Sequence, residues 1–334
     1  MSNEITVIET ALPIADQSTA LTPQQQGRGG FTQADFDSFI KFLQVTPKTS
    51  ATYTRAIRQL IAYLSANGRA LLVGETILIH ATREDILNFK EELQATGHKP
   101  TTITAYITAA RLFFQWLEQE GICENVCAHI KGAKIDKGHK RDYLTSAQVK
   151  AVLSGIERDT LQGLRDYAML CLIVCDGLRT IEVSRANIGD LRTAGDSTVL
   201  YVQGKGHLEK TEFVKVSAPV EAALRAYLKA RGERAEEAPL FSSLSNNSKG
   251  GRMSTRSISG VCKKRMQDAG YDSERLTAHS LRHTAVTLSL LAGRPLEEVK
   301  QFARHANLET TLIYAHHLDK AANKCAEAVS DAIF

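Results

Sequence analysis

The stretch HIKGAKIDKGHKR, residues 129–141, constrains the fold more than any other feature of this chain. It holds Lys131, Lys134, Lys137, Lys140 and Arg141 between glycines, with few apolar residues to bury, so it reads as a basic linker or a solvated loop. A chain of 334 residues exceeds the size at which single cores usually stop growing. Together these features imply two domains joined at 130–141. Residues 1–30 end in the polar run TPQQQGRGG and read as a flexible leader. The expected division is therefore a first domain over 31–129, a second over 142–318, and a terminal helix over 319–334.

The first domain is expected to be helical. Tyr53, Ile57, Leu60, Ile61 and Leu64 recur at helical spacing, as do Ile103, Tyr106, Ile107, Ala110, Phe114 and Leu117. Pro47 and Pro100 stand near helix starts, and Gly68, Gly97 and Gly121 follow helix ends. Beyond the linker, TSAQ at Thr145–Gln148 has capping-box spacing and opens a helix. The one clear strand signal is the pair STVLYVQ and TEFVKVS around the glycine-bearing turn GKGHLEK, a hairpin with Lys205 and Lys210 at or near its tip. Helical patterns then run to the end. The expected fold class is mainly α with a small antiparallel β-sheet.

Several function classes fall away on composition. No apolar run reaches the roughly 18 to 20 residues that a membrane span needs, so no membrane partner is expected. The N-terminus lacks a basic start followed by an apolar core, which points to the cytoplasm rather than to secretion. Cys123 with Cys127 and Cys171 with Cys175 stand at i, i+4, a spacing that fits reduced core thiols better than a metal site. The net charge of +4 suggests an anionic partner only weakly.

The chemistry-bearing residues lie in the second half. DGLRTIEV puts Arg179 after an Asp-Gly turn with Glu182 three residues on, and HSLRH sets His279 and Arg282 on one helical face. ARHANLETTLIYAHH carries His305 nine residues before Tyr314. Taken singly, each has an ordinary explanation: a salt bridge, a surface pair, a solvated turn lysine, a core tyrosine. Their joint occurrence in this order resembles the tyrosine recombinase family, the lambda-integrase and Xer-like DNA breaking and rejoining enzymes. The resemblance spans about 31–320.

That resemblance implies a two-domain DNA clamp, in which a helical core-binding domain joins a catalytic domain. It also implies a set of site residues: Arg179, Lys205 in its Gly-Lys-Gly turn, His279, Arg282, His305, and Tyr314 as nucleophile, with Glu182 holding Arg179. Tyr314 would form a 3′-phosphotyrosyl intermediate and Lys205 would protonate the departing 5′ oxygen, with no cofactor and no metal. Basic residues assigned to DNA contact are Lys48, Arg55, Arg58, Arg111, Lys131, Lys134, Lys140 and Arg141. The expected partner is double-stranded DNA with inverted-repeat recombination sites, bound as two duplexes by a homo-tetramer. Integration, excision, resolution and inversion all fit. The alternatives are a type IB-like topoisomerase and a catalytically silent DNA-binding architectural protein.

The chain departs from the family pattern in one place. Members commonly have Leu-Gly before the histidine matching His305; here Ala303 and Arg304 stand there. His316 and His317 read as helix-end or DNA-facing residues. In the terminal segment, Ala322, Cys325, Ala326, Val329 and Ile333 form an apolar stripe that needs burial; the resemblance implies docking on a neighbouring protomer, and the alternative is packing on its own domain.

Overall fold

A computed structural model describes residues 30–135, 142–204 and 209–321, together with 330 and 333. The chain separates into two compact units, Met1–Lys137 and Gly138–Phe334.

The first unit is built on α1 (Gln33–Phe42), α2 (Pro47–Ala66), α3 (Arg83–Ala95) and α4 (Pro100–Gln119). Threonine hydroxyls satisfy exposed amides at three of the four starts. Thr32 and Thr82 form capping boxes with Asp35 and Asp85, and Thr46 caps α2 ahead of Pro47. The predicted stripe of α4 is buried throughout. On α2, Ile57, Leu60, Ile61 and Leu64 are buried while Tyr53 lies at the core's edge. Phe113 centres an aromatic cluster with Phe31 at 5.2 Å and Phe39 at 5.1 Å, both edge-on.

This unit also contains a sheet that the sequence reading did not foresee. Strands β1 (Gly30–Phe31), β2 (Ala70–Val73) and β3 (Thr76–Ile79) pair antiparallel in the order β1-β3-β2. Val73 faces Thr76 across a two-residue turn, and Gly74 takes the φ of 61° that such turns require. The signal was present as two aliphatic runs around Gly-Glu.

In the second unit, α5 (Ser146–Ser154) opens with the expected Thr145–Gln148 capping box. Helix α6 (Leu161–Cys175) is buried on nearly every face. Even its charged pair is internal: Asp166 accepts from Arg165 on one oxygen and from Arg265 on the other, at 2.7 Å each. The hairpin is found as β5 (Ser197–Val202) with β6 (Glu212–Lys215), and β4 (Leu191–Ala194), also unforeseen, completes a three-stranded antiparallel sheet on the far side of β5. Helices α7 (Thr180–Arg185), α8 (Ala218–Arg231), α9 (Thr255–Asp268), α10 (Ala278–Leu291), α11 (Leu296–Ala303) and α12 (Leu308–Ala321) complete the unit. The helix carrying Tyr314 thus continues through Ala321, past the expected boundary at 319. Of the terminal stripe, only Ile333 is among the described residues, and it is exposed.

Gly177 links α6 to α7 with φ 65°, and a Cβ there would meet the Phe302 ring at 3.0 Å. Gly177→Ala is expected to destabilise the protein by about 1–2 kcal/mol through the left-handed backbone alone. A melting curve lowered by several degrees checks this.

Candidate active site

The site assembles where three chain reversals meet. At the first, Gly177 turns the chain so that Arg179 becomes the N-cap of α7, with Glu182 one turn inside. Glu182 is fully buried. Its Oε1 accepts from Arg179 Nη1 and its Oε2 from the Arg179 amide, both at 2.7 Å. The guanidinium is thereby oriented while keeping 28% of its side-chain surface open.

At the second, α10 presents His279, Arg282 and His283. Arg282 is 3% exposed and donates to two carbonyls, Gly177 O and Ala303 O, so one side chain ties two turns together. Burial, then the charges of Arg179 and Arg304, push its pKa from 12.5 down to about 9. It therefore stays charged at neutral pH. His279 is exposed, and its ring packs edge-on to His283 at 4.8 Å.

The third reversal lies between α11 and α12. Arg304 ends α11 with φ 51° and ψ 49°, the left-handed conformation that glycine adopts most easily. The local backbone thus has a glycine-like shape although the residue is arginine, in a conformation that costs roughly 1 kcal/mol for a residue with a Cβ. His305 follows, with Nδ1 at 3.0 Å from Thr311 Oγ1. Burial first, then the cations Arg282, Arg179 and Arg304, lower its pKa from 6.5 to about 4, so the imidazole is neutral at physiological pH. A phosphate entering the site would oppose that field and raise its proton affinity.

Tyr314 packs in a small apolar cluster and also stands against two histidines. Its ring is buried at 7% exposure with Val286, Val299 and Ala303, as a core tyrosine would be. Its hydroxyl nevertheless lies 3.4 Å from His283 Nε2, and the ring stands between His283 (4.8 Å) and His305 (6.1 Å). A cavity of about 600 Å³ opens beside this cluster, bordered by Arg179, Gly204, Phe213, Lys300, Arg304 and His305. Lys205 lies outside the described residues. Its neighbour Gly204 is held by Arg185 Nη1 at 3.1 Å, and Lys210, at the other end of the hairpin loop, pairs with Asp190 at 2.5 Å.

The structure therefore gathers Arg179, Glu182, Arg282, His305 and Tyr314, with His279 at the exposed edge. Two residues of the cluster were missed in the sequence. His283 directly follows Arg282 in HSLRH and lies i+4 from His279, a spacing that could have flagged it. Arg304 registered only as a departure. Its Nη2 lies 2.7 Å from Glu182 Oε2.

The remaining basic candidates belong to the first unit. Lys48 and Arg55, seven residues apart on one face of α2, are exposed; Arg58 is half-buried, with Nε lacking a hydrogen-bond partner. Arg111, Lys131 and Lys134 are exposed, and Lys140 and Arg141 lie outside the described residues.

A phenol beside paired forks of N–H donors suits attack on a tetrahedral anion, and the cavity bordered by Arg179 and His305 can receive one. This is the equipment of phosphoryl-transferring enzymes that use their own tyrosine. The Phage integrase family profile matches residues 142–321, and the profile of its N-terminal SAM-like domain matches 36–121. The chain belongs to that family, the tyrosine recombinases. It is 27% identical to a tyrosine recombinase of Synechocystis sp. over 80% of this chain and 86% of that one. It is 32% identical to the tyrosine recombinase XerC of Chlamydia muridarum over 70% and 73%. Among solved structures, the XerH site-specific recombinase bound to palindromic difH substrate shares the fold, with a TM-score of 0.64 at 21% identity, over 83% of this chain and 80% of that one. No described helix is long and apolar enough to cross a membrane.

Proposed function

We propose that this recombinase cuts and rejoins DNA strands through Tyr314, with Arg179, Arg282, His279 and His305 binding the scissile phosphate. The carrying observation is the single cluster of Arg179, Arg282, His305 and Tyr314 beside a cavity with an arginine border. Negative charge grows on the non-bridging oxygens during attack, and fixed guanidinium forks stabilise it most where water is excluded. Tyr314 Oη bonds phosphorus as the bond to the 5′ oxygen breaks. His283, at the tyrosine hydroxyl, accepts its proton, and Lys205 supplies one to the departing oxygen. The phosphotyrosine conserves the bond energy, so a second 5′-hydroxyl can reverse the step on another strand.

On this reading the first unit is the core-binding domain, with Lys48, Arg55, Arg58, Arg111, Lys131 and Lys134 at phosphates and Lys140 and Arg141 supporting them. The working assembly is a homo-tetramer on two duplexes carrying inverted repeats, acting in the cytoplasm. The family of recombinases to which the chain belongs favours strand exchange over the topoisomerase and silent-binder alternatives.

A nicked suicide substrate, analysed on a denaturing gel, tests the proposal. A covalent protein–DNA adduct is expected, and its absence with bound DNA would favour the silent binder. Lys205→Ala is expected to slow cleavage of an ordinary strand by roughly 10²-fold or more, yet to change cleavage of a 5′-bridging phosphorothiolate by only a few-fold, because a thiolate leaves without a proton. Equal losses on both substrates would make Lys205 a DNA-binding residue instead.

A further inference from the structure

Arg304 is the one residue of the cluster that ordinary packing does not account for. It holds a left-handed backbone conformation that disfavours side chains, yet its own side chain is 8% exposed and turned into the site. Nη2 donates to Glu182 Oε2 at 2.7 Å and to Gly177 O at 3.1 Å, and Nη1 donates to Phe302 O at 2.9 Å. Its carbonyl accepts from Arg179 Nη2 at 2.8 Å. Nε is buried without an acceptor, so the holding is done by the fork.

These bonds close a circuit. Glu182 holds Arg179 through Nη1 and the backbone amide, Arg304 holds Glu182 through its side chain, and Arg304 holds Arg179 through its carbonyl. Gly177 O accepts from both Arg282 Nη1 and Arg304 Nη2, so this carbonyl links Arg282 to the same circuit. Among the described residues, Glu182 is the carboxylate hydrogen-bonded to both Arg179 and Arg304. Resting on the catalytic reading given above, we propose that Arg304 is a positioning residue that pre-organises Arg179 through Glu182.

Electrostatics support the circuit. Burial would raise the Glu182 pKa, but Arg304 leads the groups, including the Arg179 amide and guanidinium, that hold it below the ordinary carboxylate range. The groups facing this region are Arg179 and Glu182 from α7, Asp176 at the end of α6, His279, Arg282 and His283 from α10, Lys300 from α11, and Tyr314 from α12. Asp176 is raised to about 7 by burial, with hydrogen bonds from Ser217 and then the charge of Arg304 opposing that rise.

The test combines Arg304→Gly, which suits the left-handed backbone, with Arg304→Lys and Glu182→Gln, in the full-length protein on nicked suicide DNA in single turnover. Arg304→Gly is expected to bind DNA within a few-fold of wild type and to form adduct at least roughly 10-fold more slowly. Under subsaturating DNA its pH profile should gain a titration between about 4 and the ordinary 6.5, as His305 recovers proton affinity. Arg304→Lys keeps the charge and should restore the wild-type profile while recovering only part of the rate. The double variant Arg304→Gly with Glu182→Gln should be no slower than Glu182→Gln alone. Independent, multiplicative losses, an unmoved pH profile, or a wild-type rate in Arg304→Gly would each overturn the proposal. Absence of adduct with the wild-type protein, or adduct formation by Tyr314→Phe, would instead overturn the catalytic reading on which it rests.

Discussion

Tyr314→Phe is expected to abolish covalent attachment to DNA, lowering adduct formation by roughly 10⁴-fold or more, while leaving DNA binding within a few-fold of wild type. The ring is what packs: it is buried with Val286, Val299 and Ala303, and phenylalanine keeps that shape. The hydroxyl's contact with His283 is long at 3.4 Å, so its loss should change stability by no more than about 1 kcal/mol. A nicked suicide substrate read on a denaturing gel, beside a gel shift for binding, separates the two effects. An adduct that persists in the phenylalanine variant would remove Tyr314 from its assigned role.

Arg282→Lys should be nearly as damaging, reducing cleavage by roughly 10²- to 10³-fold, the usual scale for losing a fixed donor at developing charge. Geometry contributes first. The guanidinium reaches Gly177 O and Ala303 O together, and an ammonium cannot reproduce that planar fork. Proton affinity contributes second. The site lowers arginine from 12.5 to about 9, and a lysine, which starts near 10.4, would titrate close to neutrality under a similar penalty. A base whose pKa is depressed gains charge as pH falls. The variant should therefore recover activity relative to wild type as pH is lowered from 8 to 6, and single-turnover rates across that range check it. A constant ratio would mean that the lysine stays charged and that geometry alone explains the loss.

Much of the architecture was legible because its causes are local. The stripe on α4 follows from 3.6-residue periodicity, and the box at Thr145 follows from a hydroxyl placed three residues ahead of an amide it can reach. The β5–β6 hairpin announced itself through β-branched runs flanking a glycine-bearing loop. The first unit's sheet did not. Its strands span two to four residues, too short to alternate visibly, and β1 pairs with a strand more than forty positions away.

In the sequence, Arg179, Arg282, His305 and Tyr314 each had an ordinary explanation, and it was their joint order, through the family resemblance it carried, that singled them out as candidates. Their meeting was beyond the sequence: it depends on Arg282 binding two carbonyls that the chain separates by more than a hundred residues. His283 sat in plain view beside Arg282, but only the packing of α12 against α10 brings Tyr314 to its Nε2 rather than to the exposed His279. Arg304 is the sharpest case. As a letter it was a substitution for glycine. Its backbone angle and its 2.7 Å contact with Glu182 arise from a turn in α11 meeting the start of α7, 122 residues earlier, and long-range electrostatics of that kind leave no periodic trace along a chain.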